Sequence, residues 1–124
     1  MRALVVDDSK AMRTIVRRLL ANCGYDDVVE AENGRDALER LGEGPVPDLA
    51  LVDWNMPVMS GYEFVVAARL DSAHDGMAIV MITTETAISR ISEALAAGAD
   101  EYVMKPFTID VLVEKLELLR ARQA

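Results

Sequence analysis

Five side chains in this 124-residue sequence are of types that could work together on a charged group: Asp7, Asp8, Asp53, Thr83 and Lys105. Each follows a short apolar run. Ala3 to Val6 precedes Asp7-Asp8, Leu49 to Val52 precedes Asp53, Ala78 to Ile82 precedes Thr83, and Tyr102 to Met104 precedes Lys105. If the fold brings the run ends together, three carboxylates meet, and they must protonate or acquire a counter-charge. A divalent cation answers that need. Oxygen ligands with no His or Cys nearby point to Mg²⁺, or Mn²⁺, rather than zinc, and magnesium keeps several waters beside its one or two carboxylates. A metal, an ammonium and a hydroxyl around an aspartate suit a phosphoryl group: the cation and Lys105 would neutralise its oxygens, and the Thr83 hydroxyl would donate to another. Asp53, ionised at neutral pH, needs no base to act as a nucleophile, and the product would be an aspartyl phosphate.

Whether these residues converge depends on the elements that carry them. Apolar runs alternate with segments of helical period along the whole chain. After Asp8, the residues Met12, Ile15, Val16, Leu19 and Leu20 recur at helical spacing until Gly24 offers a stop. The second run, Val28 to Ala31, is short and flanked by acids, as an edge strand would be; Asn33-Gly34 then leads into a brief helix with Ala37, Leu38 and Leu41. A loop covers 42–47. Asn55-Met56-Pro57 follows the third run, and a helix begins near Ser60 and ends near Leu70. Ile88, Ile91 and Leu95 mark the fourth helix, closed by Gly98, while Ile109, Leu112, Val113, Leu116 and Leu119 share a face of the last.

Five strand–helix pairs with short connections predict an α/β fold of (βα)5 type, a parallel sheet with helices on both faces. The central runs are continuously apolar, as strands buried on both faces should be. Ligands of such sheets bind beyond the carboxyl ends of the strands, where the strand order reverses. An order of 2-1-3-4-5 puts the reversal between the first and third strands, and so sets Asp7-Asp8 beside Asp53.

The composition removes other classes. Thirteen Lys and Arg against 21 Asp and Glu give a net charge of −8, with no surplus of cations to neutralise a nucleic-acid backbone. A single cysteine, Cys23, supports neither an internal disulfide nor a multi-thiolate metal site. The opening MRALVVDDSK is interrupted by acids too early for a signal-peptide core or a membrane span. The expectation is one domain over 1–124, cytoplasmic, with no membrane contact.

Asp7-Asp8, Asp53-Trp54-Asn55-Met56-Pro57, Met59-Ser60-Gly61, Thr83 and Lys105-Pro106-Phe107 together resemble the pattern of receiver domains of two-component response regulators, at the right spacing and over the whole chain. The run DWNMPVMSG, the aromatic Tyr102 and the lack of an output domain are most similar to the stand-alone chemotaxis members of that family. The resemblance implies a flavodoxin-like fold in which Asp53 accepts a phosphoryl group from a histidine kinase or phosphotransfer protein. It implies that Asp8, Asp53 and the backbone carbonyl of Asn55 hold Mg²⁺, with Asp7 reaching it through water. Thr83 and Lys105 would grip the phosphoryl oxygens, Tyr102 would swing inward when Thr83 moves, and the Lys105-Pro106 bond would be cis. The signal would pass to a downstream protein through the face formed by the fourth helix, fifth strand and fifth helix. The chain would be a monomer, or a dimer through that same face.

Other residues have plainer readings. Asp7 and Asp8 taken alone would be a helix cap and a solvated loop acid, and Tyr102 a half-buried aromatic. Arg13 and Arg17, four apart with Arg18 beside them, read as a solvated face or as a docking patch for an acidic partner. Trp54 is expected near the mouth of the site, His74 at the surface, and Cys23 at the end of the first helix's apolar stripe. Thr84 stands where the family commonly has a smaller residue, while Asn55 and Glu85 follow the chemotaxis pattern. Phosphatases of the haloacid-dehalogenase type also phosphorylate an aspartate, but they place it two residues before another Asp after the first strand. A flavin-binding fold would need a Ser/Thr/Gly-rich phosphate loop where DDSKAMR puts acids. A receiver fold acting as a phosphorylation-independent interaction module is the alternative.

Overall fold

The computed structural model describes residues 1–84 and 88–123. Five strands, β1 (Arg2–Val6), β2 (Asp27–Ala31), β3 (Leu49–Asp53), β4 (Ala78–Thr83) and β5 (Glu101–Met104), form one parallel sheet in the order β2-β1-β3-β4-β5. Five helices connect and flank them: α1 (Lys10–Asn22), α2 (Gly34–Leu41), α3 (Gly61–Arg69), α4 (Ile88–Ala97) and α5 (Ile109–Gln123), with a 3₁₀ turn at Ser72–His74. The predicted architecture and order are those observed. Strand ends differ from the sequence reading by a residue or two, since Asp53 and Thr83 close their strands rather than follow them.

Every residue of β3 and β4 is buried, because the pleat sends alternate side chains into two separate cores. Leu4, Val6, Ala50, Val52, Ile79 and Met81 face one cluster, which Phe64, Val65 and Ala68 of α3 complete. Ala3, Val5, Leu49, Leu51, Val80 and Ile82 face the other, against Leu20 of α1 and Leu112 and Leu116 of α5. Two helical stripes are less buried than their spacing suggested. Ile15 and Ile109 flank an open groove between α1 and α5, and α4 turns its small Ala94 inward while Ile88 and Leu95 stay exposed. Ala94 joins the core cluster that α3 helps to build, and the larger apolar residues Ile88 and Leu95 lie at the rim.

Helix starts are fixed by side-chain caps. The Ser9 hydroxyl accepts from the Met12 N–H at 3.2 Å, the Asn33 side chain from Asp36 N–H at 2.8 Å, and Ser60 exchanges bonds with Glu63 in a capping box. At the opposite end of the sheet Arg69 acts as a clamp. Its guanidinium donates to the carbonyls of Gly98, His74 and Met77 at 3.0, 2.6 and 2.7 Å and to the Asp100 carboxylate at 3.0 Å. These bonds tie the end of α3 to the turn leading into β4 and the loop leading into β5.

Gly61 sets how closely α3 approaches β3. Its N–H donates to the Trp54 carbonyl at 2.9 Å, and a Cβ at this position would overlap the backbone carbonyl of Asp53. Backbone cannot yield as a flexible side chain can. Gly61→Ala should therefore lower the unfolding free energy by about 1–3 kcal/mol, the usual cost of overpacking, read from the urea midpoint; an unchanged midpoint would contradict this contact.

Candidate functional site

Strand register brings the chemistry-bearing residues together. Val6 pairs with Val52, so the next residues, Asp7 and Asp53, emerge side by side; Asp53 pairs with Ile82, and Thr83 with Met104. The ladder continues past the strand ends through the Asp7 N–H to Ala31 (3.1 Å), the Trp54 N–H to Ile82 (2.9 Å) and the Lys105 N–H to Thr83 (2.8 Å). The next peptide, Lys105-Pro106, is cis.

Asp7, Asp8 and Asp53 each offer a carboxylate oxygen, all within 4.8 Å of one another, with Asp7 and Asp53 buried and Asp8 exposed. The Lys105 ammonium lies 3.4 Å from Asp53 Oδ2 and 3.7 Å from Asp7 Oδ2. Ser9 N–H donates to Asp7 Oδ1 at 2.8 Å, which fixes that carboxylate. Burial pushes the Asp53 carboxyl above its ordinary pKa; Lys105 opposes this, Asp7 adds to it, and hydrogen bonds from Lys105 and the Asn55 N–H oppose it again. Thr83 is buried at the end of β4, between the Asp53 and Lys105 strands.

The donor set fits a small hard cation. Octahedral magnesium with bonds of about 2.1 Å separates its ligand oxygens by about 3 to 4.2 Å, a range that the cluster reaches with small side-chain adjustments or a bridging water. All the carboxylate donors are oxygen, and the buried pair carries more negative charge than Lys105 offsets.

The residues expected from the sequence fall into place unequally. Asp7, Asp8, Asp53, Thr83 and Lys105 share the carboxyl edge of the sheet, and Asn55 lies beside them in a groove also lined by Asp8, Trp54 and Tyr62. Tyr102 is half-buried on β5, with the Lys115 ammonium 5.3 Å from its ring centroid and Lys115 paired to Glu101 at 3.1 Å. Trp54 lines the mouth as expected but is nearly buried, stacked on Tyr62 at 5.8 Å. His74 is only half-exposed, its Nδ1 2.9 Å from the Ala68 carbonyl. Thr84 is exposed at the lip beside Lys105, and Glu85 lies outside the described residues.

Two features were missed. Arg13 is not a solvated cation: it reaches back to the Asp7 carbonyl and to Glu30. Its charge suggested a surface face, whereas the partner is a backbone atom that no side-chain pattern reveals. Val58 adopts φ 69°, in the left-handed region that a β-branched residue enters at a cost of about 1–3 kcal/mol. The loop holds it there, since the Met59 N–H donates to Pro57 at 2.7 Å and the Met59 carbonyl accepts from Gly34 of α2 at 3.1 Å. Valine is a residue type that gives no forewarning of such a turn.

Parallel topology, an aspartate cluster at the switch point and an opposed lysine define an α/β domain with an acidic site at the carboxyl edge of its sheet. Residues 3–117 match the response regulator receiver domain, and the chain belongs to that family. It is 45% identical over 119 residues to the chemotaxis protein CheY1 of Helicobacter pylori, covering 96% of each chain. It is 44% identical over 117 residues to the chemotaxis protein CheY homolog of Campylobacter jejuni, covering 94% of this chain and 90% of that one. Among solved structures, the chemotaxis response regulator CheY4 of Vibrio cholerae superimposes with a TM-score of 0.87 at 38% identity, over 95% of this chain and 97% of that one. No helix among the described residues is long and apolar enough to cross a membrane.

The raised pKa of Asp53 has a consequence for stability. A carboxyl whose folded pKa exceeds its unfolded value disfavours the folded state at pH above both, and the penalty disappears as pH falls through the raised value. Without added metal, Asp53→Asn should therefore have a higher thermal midpoint than wild type at pH 7, with the gap closing on acidification. A variant less stable than wild type at pH 7 would mean that the Lys105 contact outweighs burial.

Proposed function

We propose that the chain is a single-domain response regulator, 1–124, that accepts a phosphoryl group on Asp53 and changes its affinity for a downstream protein. The observation that carries this reading is the Lys105 ammonium facing two buried carboxylates, Asp7 and Asp53, at the switch point of the sheet. An unphosphorylated Asp53 oxygen would attack the phosphorus of a donor phosphohistidine; the P–N bond breaks and the imidazole leaves with its electron pair, taking a proton from water. Asp8, Asp53 and the Asn55 carbonyl, with Asp7 through water, would hold Mg²⁺, which when bound neutralises and orients phosphoryl oxygens. Lys105 supplies a further positive charge at those oxygens, and Thr83 a hydroxyl donor. The chemistry is signalling phosphotransfer and self-dephosphorylation rather than metabolic catalysis.

Coupling to a partner needs enough energy to move a conformational equilibrium. Going from about 1:99 to 99:1 takes about 5.5 kcal/mol. Charge-assisted hydrogen bonds from Thr83 and Lys105, at about 1.5–3 kcal/mol each, supply about 3–6 kcal/mol if they form mainly in the active state. Thr83 closes the β4 ladder to Met104, two residues after Tyr102, so a shift of Thr83 is felt on β5 and on the α4–β5–α5 face. That face is the proposed output surface, with Tyr102 as the switch aromatic and a dimer through the same face as the alternative to a monomer. Likeness to chemotaxis proteins supports a cytoplasmic relay between a sensor histidine kinase or phosphotransfer protein and a downstream protein.

Incubation with Mg²⁺ and acetyl phosphate should add one acid-stable, base-labile phosphoryl group to wild type and none to Asp53→Asn, measured by intact mass. Thr83→Ala and Lys105→Ala should still gain it, more slowly for Lys105→Ala, yet lose most of the phosphorylation-dependent gain in partner affinity. Wild type that gains no phosphoryl group would favour the phosphorylation-independent interaction module.

A further inference from the structure

Beside its ion pair with Lys105, Asp7 is held by three hydrogen bonds: its N–H bonds to β2, its carboxylate receives the Ser9 N–H, and its carbonyl receives Arg13. The third grip is the unusual one. Arg13, one turn into α1, sends its guanidinium back towards the end of β1, where Nη1 donates to the Asp7 carbonyl at 2.6 Å. Nε of the same group donates to Glu30 Oε1 at 3.1 Å, and Arg17 Nη1 donates to Glu30 Oε2 at 3.0 Å. The Arg13 side chain is 15% exposed, so both contacts are well sheltered from competing water.

We propose that Arg13 is a positioning residue for the carboxylate cluster: it holds the backbone of the Asp7-Asp8 turn at the spacing a divalent cation requires, and Glu30 holds Arg13. The inference rests on the metal-assisted reading above. Two effects of a guanidinium beside the cluster oppose each other. Its positive charge repels an incoming cation, while its hydrogen bond restrains the turn that carries two of the acidic donors. Glu30 offsets much of the charge without weakening the hydrogen bond, and so the geometric effect dominates. Partners behind metal ligands commonly change metal affinity by about 10–100-fold when removed.

The two effects predict opposite signs for removal of Arg13. Trp54 is the single tryptophan and lines the site mouth, so its emission reports Mg²⁺ titration without phosphorylation. Arg13→Ala should bind Mg²⁺ about tenfold more weakly than wild type, and Arg13→Lys, which retains one donor and the charge, should recover part of that loss. Thermal midpoints without Mg²⁺ and circular dichroism check folding. If the alanine variant does not fold, Arg13→Gln carries the same expectation of weaker binding. Affinity equal to or tighter than wild type in the folded variant would overturn the inference while leaving the metal reading intact. Wild type with no saturable Mg²⁺ response would overturn both.

Discussion

Mutual repulsion among Asp7, Asp8 and Asp53 is the constraint on which the site depends. Two unit charges about 4 Å apart interact by about 4 kcal/mol at an effective dielectric of about 20. Three such repulsions face the attraction of one ammonium at 3.4 and 3.7 Å, and the pair most affected, Asp7 and Asp53, is buried. Exposure of Asp8 to solvent relieves part of the strain, while the raised pKa of Asp53 comes first from its burial, with the Asp7 charge adding to it and Lys105 opposing it. A cluster that is expensive without a counter-ion is one that attracts a cation or a cation-bearing phosphoryl group.

The rest of the molecule serves to hold that arrangement. Strands buried on both faces give a sheet whose carboxyl edge is fixed by two independent cores, so the ends of β1, β3, β4 and β5 keep their register. Gly61 allows α3 to begin against the Asp53 backbone, and the Ser9 and Ser60 caps start helices just beyond the acidic turns. Arg69 secures the opposite end. The tight fit of the loop at 54–60, including the unfavourable backbone of Val58, is held by its bond to α2.

Much of this was legible in the sequence because it follows from periodicity and position. Apolar runs ending in Asp, Thr or Lys identify strands and their carboxyl ends together, and the order 2-1-3-4-5 then brings Asp7 and Asp53 side by side. Less was legible where packing or backbone atoms decide. Ile15, Ile88 and Ile109 fit apolar stripes yet remain exposed, because what packs against a helix, rather than spacing alone, decides which side is covered, and on α4 the buried position is the small Ala94. Arg13 was read from its charge, while its role comes from reaching the Asp7 carbonyl. Trp54 lies deeper than its place after Asp53 suggested, because Tyr62, eight residues on, stacks against it.

Calorimetric titration of Mg²⁺ into wild type and Lys105→Met tests the central claim most directly, because the lysine and the cation answer the same excess of negative charge. Wild type should show one saturable site per chain, and Mg²⁺ should bind more tightly once the ammonium is removed. No saturable binding in wild type, or weaker binding in Lys105→Met, would contradict that claim.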